Sequence, residues 1–176
     1  NKGNGTLVLS FTVESQAPNA ARIKGGTSSG KNSIEELTDR KFGSNDFKFI
    51  TNQIWTVYPD GSIELQSSIT SNRSSLVLPR LGYVMKVPQQ YSNFTYYGRG
   101  PVDNYADRKS GQFIEQYTNT VAGEFVNFPK PQDMGNHEDV RWCALTNQAG
   151  NGAVFVATDR LSASALQYLS LIHISE

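Results

Sequence analysis

The sequence is short of the residues that build most independent active sites. Among its 176 residues are one cysteine and two histidines. The single cysteine, Cys143, excludes an internal disulfide and a multi-cysteine metal site. It lies in the apolar run Val140–Leu145, where a buried small hydrophobe is the simpler reading than a nucleophile. There is no charge of one sign to spare: Lys plus Arg and Asp plus Glu are 16 each. Bulk electrostatics therefore favour neither nucleic acid nor an anionic membrane as a partner. Aromatics are 11% of the chain, but without a basic groove they do not imply base stacking. No apolar run approaches a membrane span, and no signal-peptide pattern opens the chain. The first residue is Asn1 rather than Met, so the natural start is expected elsewhere. No Gly-x-Ser-x-Gly elbow is present. Gly98-Arg99-Gly100 runs into Pro101 with no lysine in place, so it is not a phosphate loop.

What is present is strand pattern. Leu7, Leu9, Phe11 and Val13 alternate along Thr6–Glu14, which predicts a half-buried strand. Ser15–Gly30 reads as loop, and Ser33–Thr38 as one helical turn capped by Ser33. Asp46–Tyr58 and Ser62–Thr70 flank Pro59-Asp60-Gly61 and make the clearest hairpin, with Pro presetting φ and Gly taking the positive φ. Further strands are predicted over Leu76–Val87 (interrupted near Pro79), Phe94–Tyr97, Gly111–Tyr117, Gly123–Phe128, Val140–Thr146 and Ala153–Thr158, with another beginning at Ser162. Pro129–Asp139 reads as loop, and Gln148–Gly152 as a turn. Many short strands without 3.6-residue periodicity imply one all-β domain, an antiparallel sandwich or barrel.

The densest polar chemistry lies between Tyr91 and Arg108. An aromatic run, Phe94–Tyr97, is broken by Gly98–Pro101 and followed by Asp103, Asn104, Asp107 and Arg108 around Tyr105. Rings beside planar polar groups are what sugar recognition requires, since rings stack on pyranose faces while carboxylates, amides and guanidinium take the hydroxyls. A sandwich core with a charged corner accounts for the same residues. His137, near Asp133, Glu138 and Asp139, is compatible with a metal ligand or general base, but no second histidine accompanies it and a solvated loop histidine is simpler. A glycosidase needs two carboxylates facing across a sugar. Among Glu35, Glu36, Asp103, Asp107, Glu115, Glu124, Asp133 and Glu138, no pair stands in a recognisable acid/base context. No catalytic residue and no metal ligand is therefore assigned.

Three motifs, in order, carry a resemblance: Leu78-Pro-Arg-Leu-Gly82, Tyr96-Tyr-Gly-Arg-Gly-Pro-Val-Asp-Asn-Tyr-Ala-Asp-Arg108, and Pro131-Gln-Asp-Met-Gly-Asn-His-Glu-Asp-Val-Arg-Trp142. Together they resemble the C-terminal, small-chain domain of large β-galactosidases of glycoside hydrolase family 2, from about Gly5 to Tyr168. The family more often has Glu where Asp103 stands. The resemblance implies a galactose-mutarotase-like supersandwich of antiparallel sheets, taken from a parent that hydrolyses terminal β-galactosides such as lactose with retention. It also implies that the catalytic glutamates lie in an upstream barrel domain, and that magnesium and sodium are held mainly by other domains, with no cofactor in this chain. Expected partners are the parent's barrel and sandwich domains, the β-galactoside and further copies of the parent. Asp103, Asn104, Asp107, Arg108, His137 and Arg141 are then expected to face the parent's pocket or another domain.

By the same resemblance, segments before Asn1 and after Tyr168 are expected to complete the domain, leaving 1–168 truncated at both ends with an exposed edge and poor stability. Leu169–Glu176 departs from the family and looks like a translated sequencing adapter, which would leave His173 without a role. Bacterial cytoplasm and periplasm both remain open as the parent's compartment. The alternatives are a stand-alone carbohydrate-binding module, an aldose-1-epimerase-like enzyme needing a His–Glu pair on the sheet face, and an unrelated adhesion sandwich.

Overall fold

The computed structural model describes residues 5–16, 20–24, 33–37, 47–72, 81–126, 128 and 133–167, without the side chains of 16, 20–24 and 33–37. The chain forms two compact units, Asn1–Gly82 and Tyr83–Glu176. Among the described residues there is no helix, and every strand pairing is antiparallel. The fold is thus all-β and antiparallel, consistent with the expected sandwich class.

In the first unit, β1 (Leu7–Gln16), β4 (Lys48–Val57) and β5 (Ile63–Ser71) form a sheet in the order β1-β4-β5. The predicted hairpin is present, with Val57 opposite Ile63. Gly61 takes φ 87° in its turn. Asp60 closes that turn by accepting from Ser62 N at 2.9 Å and Ser62 Oγ at 2.7 Å. The register puts Leu9, Trp55 and Leu65 in one row across the sheet, because side chains of directly paired residues share a face. Leu7, Leu9, Phe11 and Val13 nevertheless keep 40–49% of their surface exposed, so β1 is not the half-buried strand expected. Its alternation sets an apolar stripe, to which the sheet's paired strands give lateral neighbours.

The loop and helical turn expected over 15–38 also need correction. β2 (Ala20–Lys24) pairs with β3 (Ser33–Leu37), Ala20 opposite Leu37. A lone cap signal is worth about 1 kcal/mol, and ladder pairing overrides it.

In the second unit, β6 (Asn93–Gly100), β7 (Phe113–Thr120), β8 (His137–Thr146) and β9 (Gly152–Ala163) form a sheet in the order β7-β6-β8-β9. Alternation along β6 sends Phe94 and Tyr96 to one face, where their rings stack at 5.2 Å. Val140, Cys143 and Ala165 complete that core, with Tyr117, Leu145, Phe155 and Leu161 packed against it. Each large side chain buried there stabilises by roughly 1.5–3 kcal/mol. Burial pushes the Cys143 thiol up to about 11, in keeping with the unreactive reading.

Gly98 is required by close approach, since a Cβ there would lie 2.7 Å from Val140 Cγ2. The Gly100–Pro101 peptide is cis. β8 begins at His137, not Val140, and β9 absorbs the strand expected from Ser162. The strand expected over 123–128 is absent among the described residues. Gly123 and Glu124 instead turn back to Thr120 O at 2.9 and 3.2 Å. Residues 81–87 are described without strand pairing. Residues 76–80 and the expected tail 169–176 lie outside the described residues.

Candidate functional site

The polar residues singled out by sequence all lie in the second unit, in separate clusters, two of which meet at Arg99, a residue that was not singled out. The Arg99 carbonyl accepts from Asn104 Nδ2 at 2.9 Å and from His137 Nδ1 at 3.2 Å. The Arg99 side chain, on the face of β6 opposite Phe94 and Tyr96, meets Asp139 Oδ2 at 2.5 Å and Gln112 O at 2.9 Å. One residue thus ties the 101–108 corner to β8 and to the start of β7.

Asn104 has no exposed surface. Its Nδ2 also donates to Val102 O at 3.0 Å, and its Oδ1 accepts from Glu138 N at 2.8 Å. Its backbone exchanges two bonds with Asn136: Asn104 N to Asn136 O at 2.7 Å, and Asn136 Nδ2 to Asn104 O at 2.8 Å. Every hydrogen-bonding atom of the Asn104 amide is spent inside the chain. Within this chain Asn104 acts as an internal lock.

The reading of His137 as a solvated loop histidine needs correction. The residue opens a strand and is fully buried. Its ring stacks on Tyr96 with centroids 4.1 Å apart, and its Nε2 lies 2.6 Å from Glu124 Oε2. Glu124 is also buried and takes Asn119 Nδ2 at 2.7 Å on its other oxygen. With Nδ1 facing a carbonyl, His137 must carry a proton there, because a carbonyl only accepts. The Nε2–Oε2 contact holds the ring against the Glu124 carboxyl. Beside this pair, burial and the Glu124 charge push the Tyr96 hydroxyl upward.

Asp103 and Arg108 form a second cluster. The Arg108 guanidinium lies 5.3 Å from the Tyr105 ring centre and places Nη2 3.3 Å from Asp103 Oδ2. Tyr105 N donates to Arg108 O at 3.3 Å, and Arg108 N to Tyr105 O at 2.8 Å, a tight turn that brings the guanidinium over the ring. Among the described residues, Asp103 Oδ2 is buried with the Arg108 ion pair and no hydrogen bond of good geometry, and the Tyr105 hydroxyl is buried beside it. Burial, then the Asp103 and Asp133 charges, raise that hydroxyl to about 12. Asp107 is exposed and makes no ion pair among the described residues. Arg108 therefore pairs with Asp103 rather than with its neighbour Asp107.

Arg141 belongs to a third cluster. It donates to Asp139 O at 2.6 Å and lies 5.7 Å from the Tyr97 ring centre. Asp139 has φ 54°, the left-handed region that Asp tolerates better than most residues. It sits where β8 shifts register against β9, so the strand bulges there. The bulge aims its carboxylate at Arg99, with Lys109 at 3.6 Å and Arg160 at 3.7 Å. The Arg99 hydrogen bond, helped by the charges of Lys109, Arg99 and Arg160, holds the Asp139 carboxyl below the usual range.

Arg99, Glu124, Asn136 and Asp139 were missed as members of these clusters. A usable signal existed for Arg99: a lone charge between two glycines in an aromatic strand needs a partner. Among the described residues, no group of three or more His, Cys, Asp or Glu is placed to hold a metal ion.

An antiparallel all-β chain with an internally bonded polar side is the class of protein defined so far. The comparisons narrow it. Residues 9–171 match the family model described as beta galactosidase small chain, and the chain belongs to that family. A beta-galactosidase of Priestia megaterium is 31% identical over 114 residues, which is 65% of this chain and 11% of the relative. Beta-galactosidase BgaC of Bifidobacterium adolescentis is 32% identical over 91 residues, 52% of this chain and 9% of the relative. A Halalkalibacterium halodurans beta-galactosidase is 32% identical over 101 residues, 56% of this chain and 10% of the relative. The chain thus spans about a tenth of the length of these curated relatives.

Proposed function

We propose that this chain is a non-catalytic β-sandwich domain of a larger β-galactosidase. In this reading the parent hydrolyses terminal β-D-galactosides such as lactose, with the catalytic glutamates, magnesium and sodium carried by other domains. The domain supports the substrate pocket and packs against the parent's barrel and sandwich domains and against other copies of the parent. The family match carries the proposal. The geometry supports a supporting role, because Asn104, His137 and Glu124 all spend their polar atoms on internal partners. Of the residues expected to face a pocket or another domain, Asp107 and Arg108 are the most exposed and keep that role in the proposal.

One observation bears on the epimerase alternative. The His–Glu pair it needs exists, as His137 and Glu124, but both side chains are sealed, at 0% and 4% exposure. A sugar cannot reach them without the unit opening. The carbohydrate-module alternative needs free aromatic faces, and Tyr97 and Tyr105 each carry a guanidinium on one face.

The test is enzymatic. The isolated chain should neither hydrolyse lactose nor speed the anomeric exchange of galactose, while the parent enzyme hydrolyses lactose. In the parent, Arg108→Ala should lower folding or assembly before it changes turnover per folded molecule. Anomeric exchange by the isolated chain, lost in His137→Ala, would establish the epimerase instead.

A further inference from the structure

We propose that Asn151–Gly152, where the β8–β9 turn enters β9, is a self-modifying site. The Asn151 side chain closes on the Gly152 nitrogen and reopens as aspartate or isoaspartate.

That chemistry needs a free carboxamide, access to water and an unshielded N–H on the next residue. Glycine shields least, because it has no Cβ. The sequence holds two Asn-Gly pairs, and Asn4 of the other lies outside the described residues. Asn151 is exposed, and it is the one described asparagine whose carboxamide makes no hydrogen bond. The others are tied. Asn52 accepts from Thr12, Asn93 donates to Asn147 O, Asn119 donates to Glu124, and Asn147 closes its own turn. The backbone supplies the nucleophile. Asn147 N donates to Asn151 O at 2.8 Å, so by antiparallel alternation the next pair, Thr146 and Gly152, turns its backbone groups away from each other. The Gly152 N–H therefore points to the outer side of β9, the end strand of its sheet.

The Gly152 nitrogen bonds to Asn151 Cγ, the Cγ–Nδ2 bond breaks, and the Gly152 proton leaves with the amide as ammonia. Water then opens the cyclic imide. Opening at Cγ gives aspartate. Opening at the main-chain carbonyl gives isoaspartate, whose backbone is longer by a carbon. The hairpin has no room for that carbon. Asn151 is held on both sides, its N donating to Asn147 Oδ1 at 3.0 Å and its O accepting from Asn147 N. Gly152 lies against β8, where even a Cβ would stand 2.8 Å from Thr146 Cα. The added length therefore breaks the Asn147–Asn151 bond and loosens the start of β9. The other hairpin supplies a contrast at Asp60–Gly61. There the Gly61 N–H is spent on Tyr58 O at 3.0 Å, and the Ser62 hydrogen bonds hold the Asp60 carboxyl below its usual range. An ionised carboxylate resists attack by a nucleophile.

The test is ageing of the full chain at mildly alkaline pH, followed by peptide mapping with mass spectrometry. Asn151 should convert on the order of 10-fold faster than any other described asparagine, the factor that breaking one hydrogen bond gives. Asp60 should stay aspartate. Asn151→Gln, whose longer side chain closes the ring poorly, should stop conversion at that position and leave the unfolding midpoint unchanged. The Ala153 amide, paired across to Leu145, should exchange roughly 10-fold faster in the aged wild-type chain and not in aged Asn151→Gln. An Asn151 that ages no faster than Asn93 or Asn147 overturns the proposal. So does conversion confined to the urea-unfolded chain, which would mean that the hairpin shields the Gly152 nitrogen, and so does isoaspartate at Asp60 ahead of Asn151.

Discussion

Replacing Asn104 by alanine deletes three side-chain hydrogen bonds at a site with no exposed surface. The losses are unequal. The Arg99 carbonyl keeps the His137 Nδ1–H, and Val102 belongs to an exposed residue, so water can take over its carbonyl. The Glu138 N–H has no such recourse once the Asn104 carboxamide is gone, and a stranded buried donor costs about 1–3 kcal/mol. Adding the lost packing gives about 2–4 kcal/mol. For a unit of the size of Tyr83–Glu176 that lowers the melting temperature by roughly 8–32 °C. Trp142 fluorescence in a Trp55→Phe background reports the second unit alone, which matters because two units need not unfold together. Asn104→Asp sharpens the test. It keeps shape and the acceptor for Glu138 N–H, but turns a donor shared by two carbonyls into an acceptor. It should cost at least as much as alanine. Faster exchange of the Glu138 amide should accompany both variants. A change below about 0.5 kcal/mol, or an Asn104→Asp protein as stable as the original, would refute the lock. Loss of the parent's turnover with stability intact would make Asn104 a ligand contact after all.

Two further outcomes follow from the buried and bulged carboxylates. Asp139 is held below its ordinary value of about 3.9. Its contribution is therefore present above that pH and is lost as pH falls through the lower folded value. Asp139→Asn should cost roughly 1 kcal/mol at pH 7, allowing for solvent screening, and the gap to wild type should shrink in urea titrations as pH falls below about 4. A gap unchanged by acid would remove the carboxylate from the explanation. At Glu124, the amide of Glu124→Gln can accept from Asn119 and donate to a His137 Nε2 lone pair, so it should cost less than about 1 kcal/mol. Glu124→Ala should cost about 2–4 kcal/mol. Equal losses in the two variants, read by chemical denaturation, would show that the hydrogen bonds are not what matters there.

The strand pattern was legible because it depends on local spacing. Alternation at Leu7–Val13 and Phe94–Tyr96, the Pro59–Gly61 turn and the apolar run at Val140 each specify strand and face without knowledge of a partner. The three motifs likewise carried family membership. Local signals failed where backbone pairing decided. Ser33–Leu37 is a strand because β2 lies beside it, and Val121–Glu124 is a turn in which Glu124 swings back to His137. The site shows the same division. Composition marked Asp103, Asn104, Arg108 and His137 as chemically interesting, since such groups need partners when buried. It could not say which partners. Arg99, Glu124 and Asn136 are distant in sequence from the groups they satisfy, and only the meeting of β6 with β8 and the 121–126 turn supplies the 2.6–3.2 Å contacts that turn apparent ligands into locks. Sequence alone determined the class of fold, the family and the residues that could not be left unpaired. The tertiary structure decided whether those residues face outward or inward, because hydrogen-bond satisfaction depends on which strands lie side by side and not on which residues are neighbours in the chain.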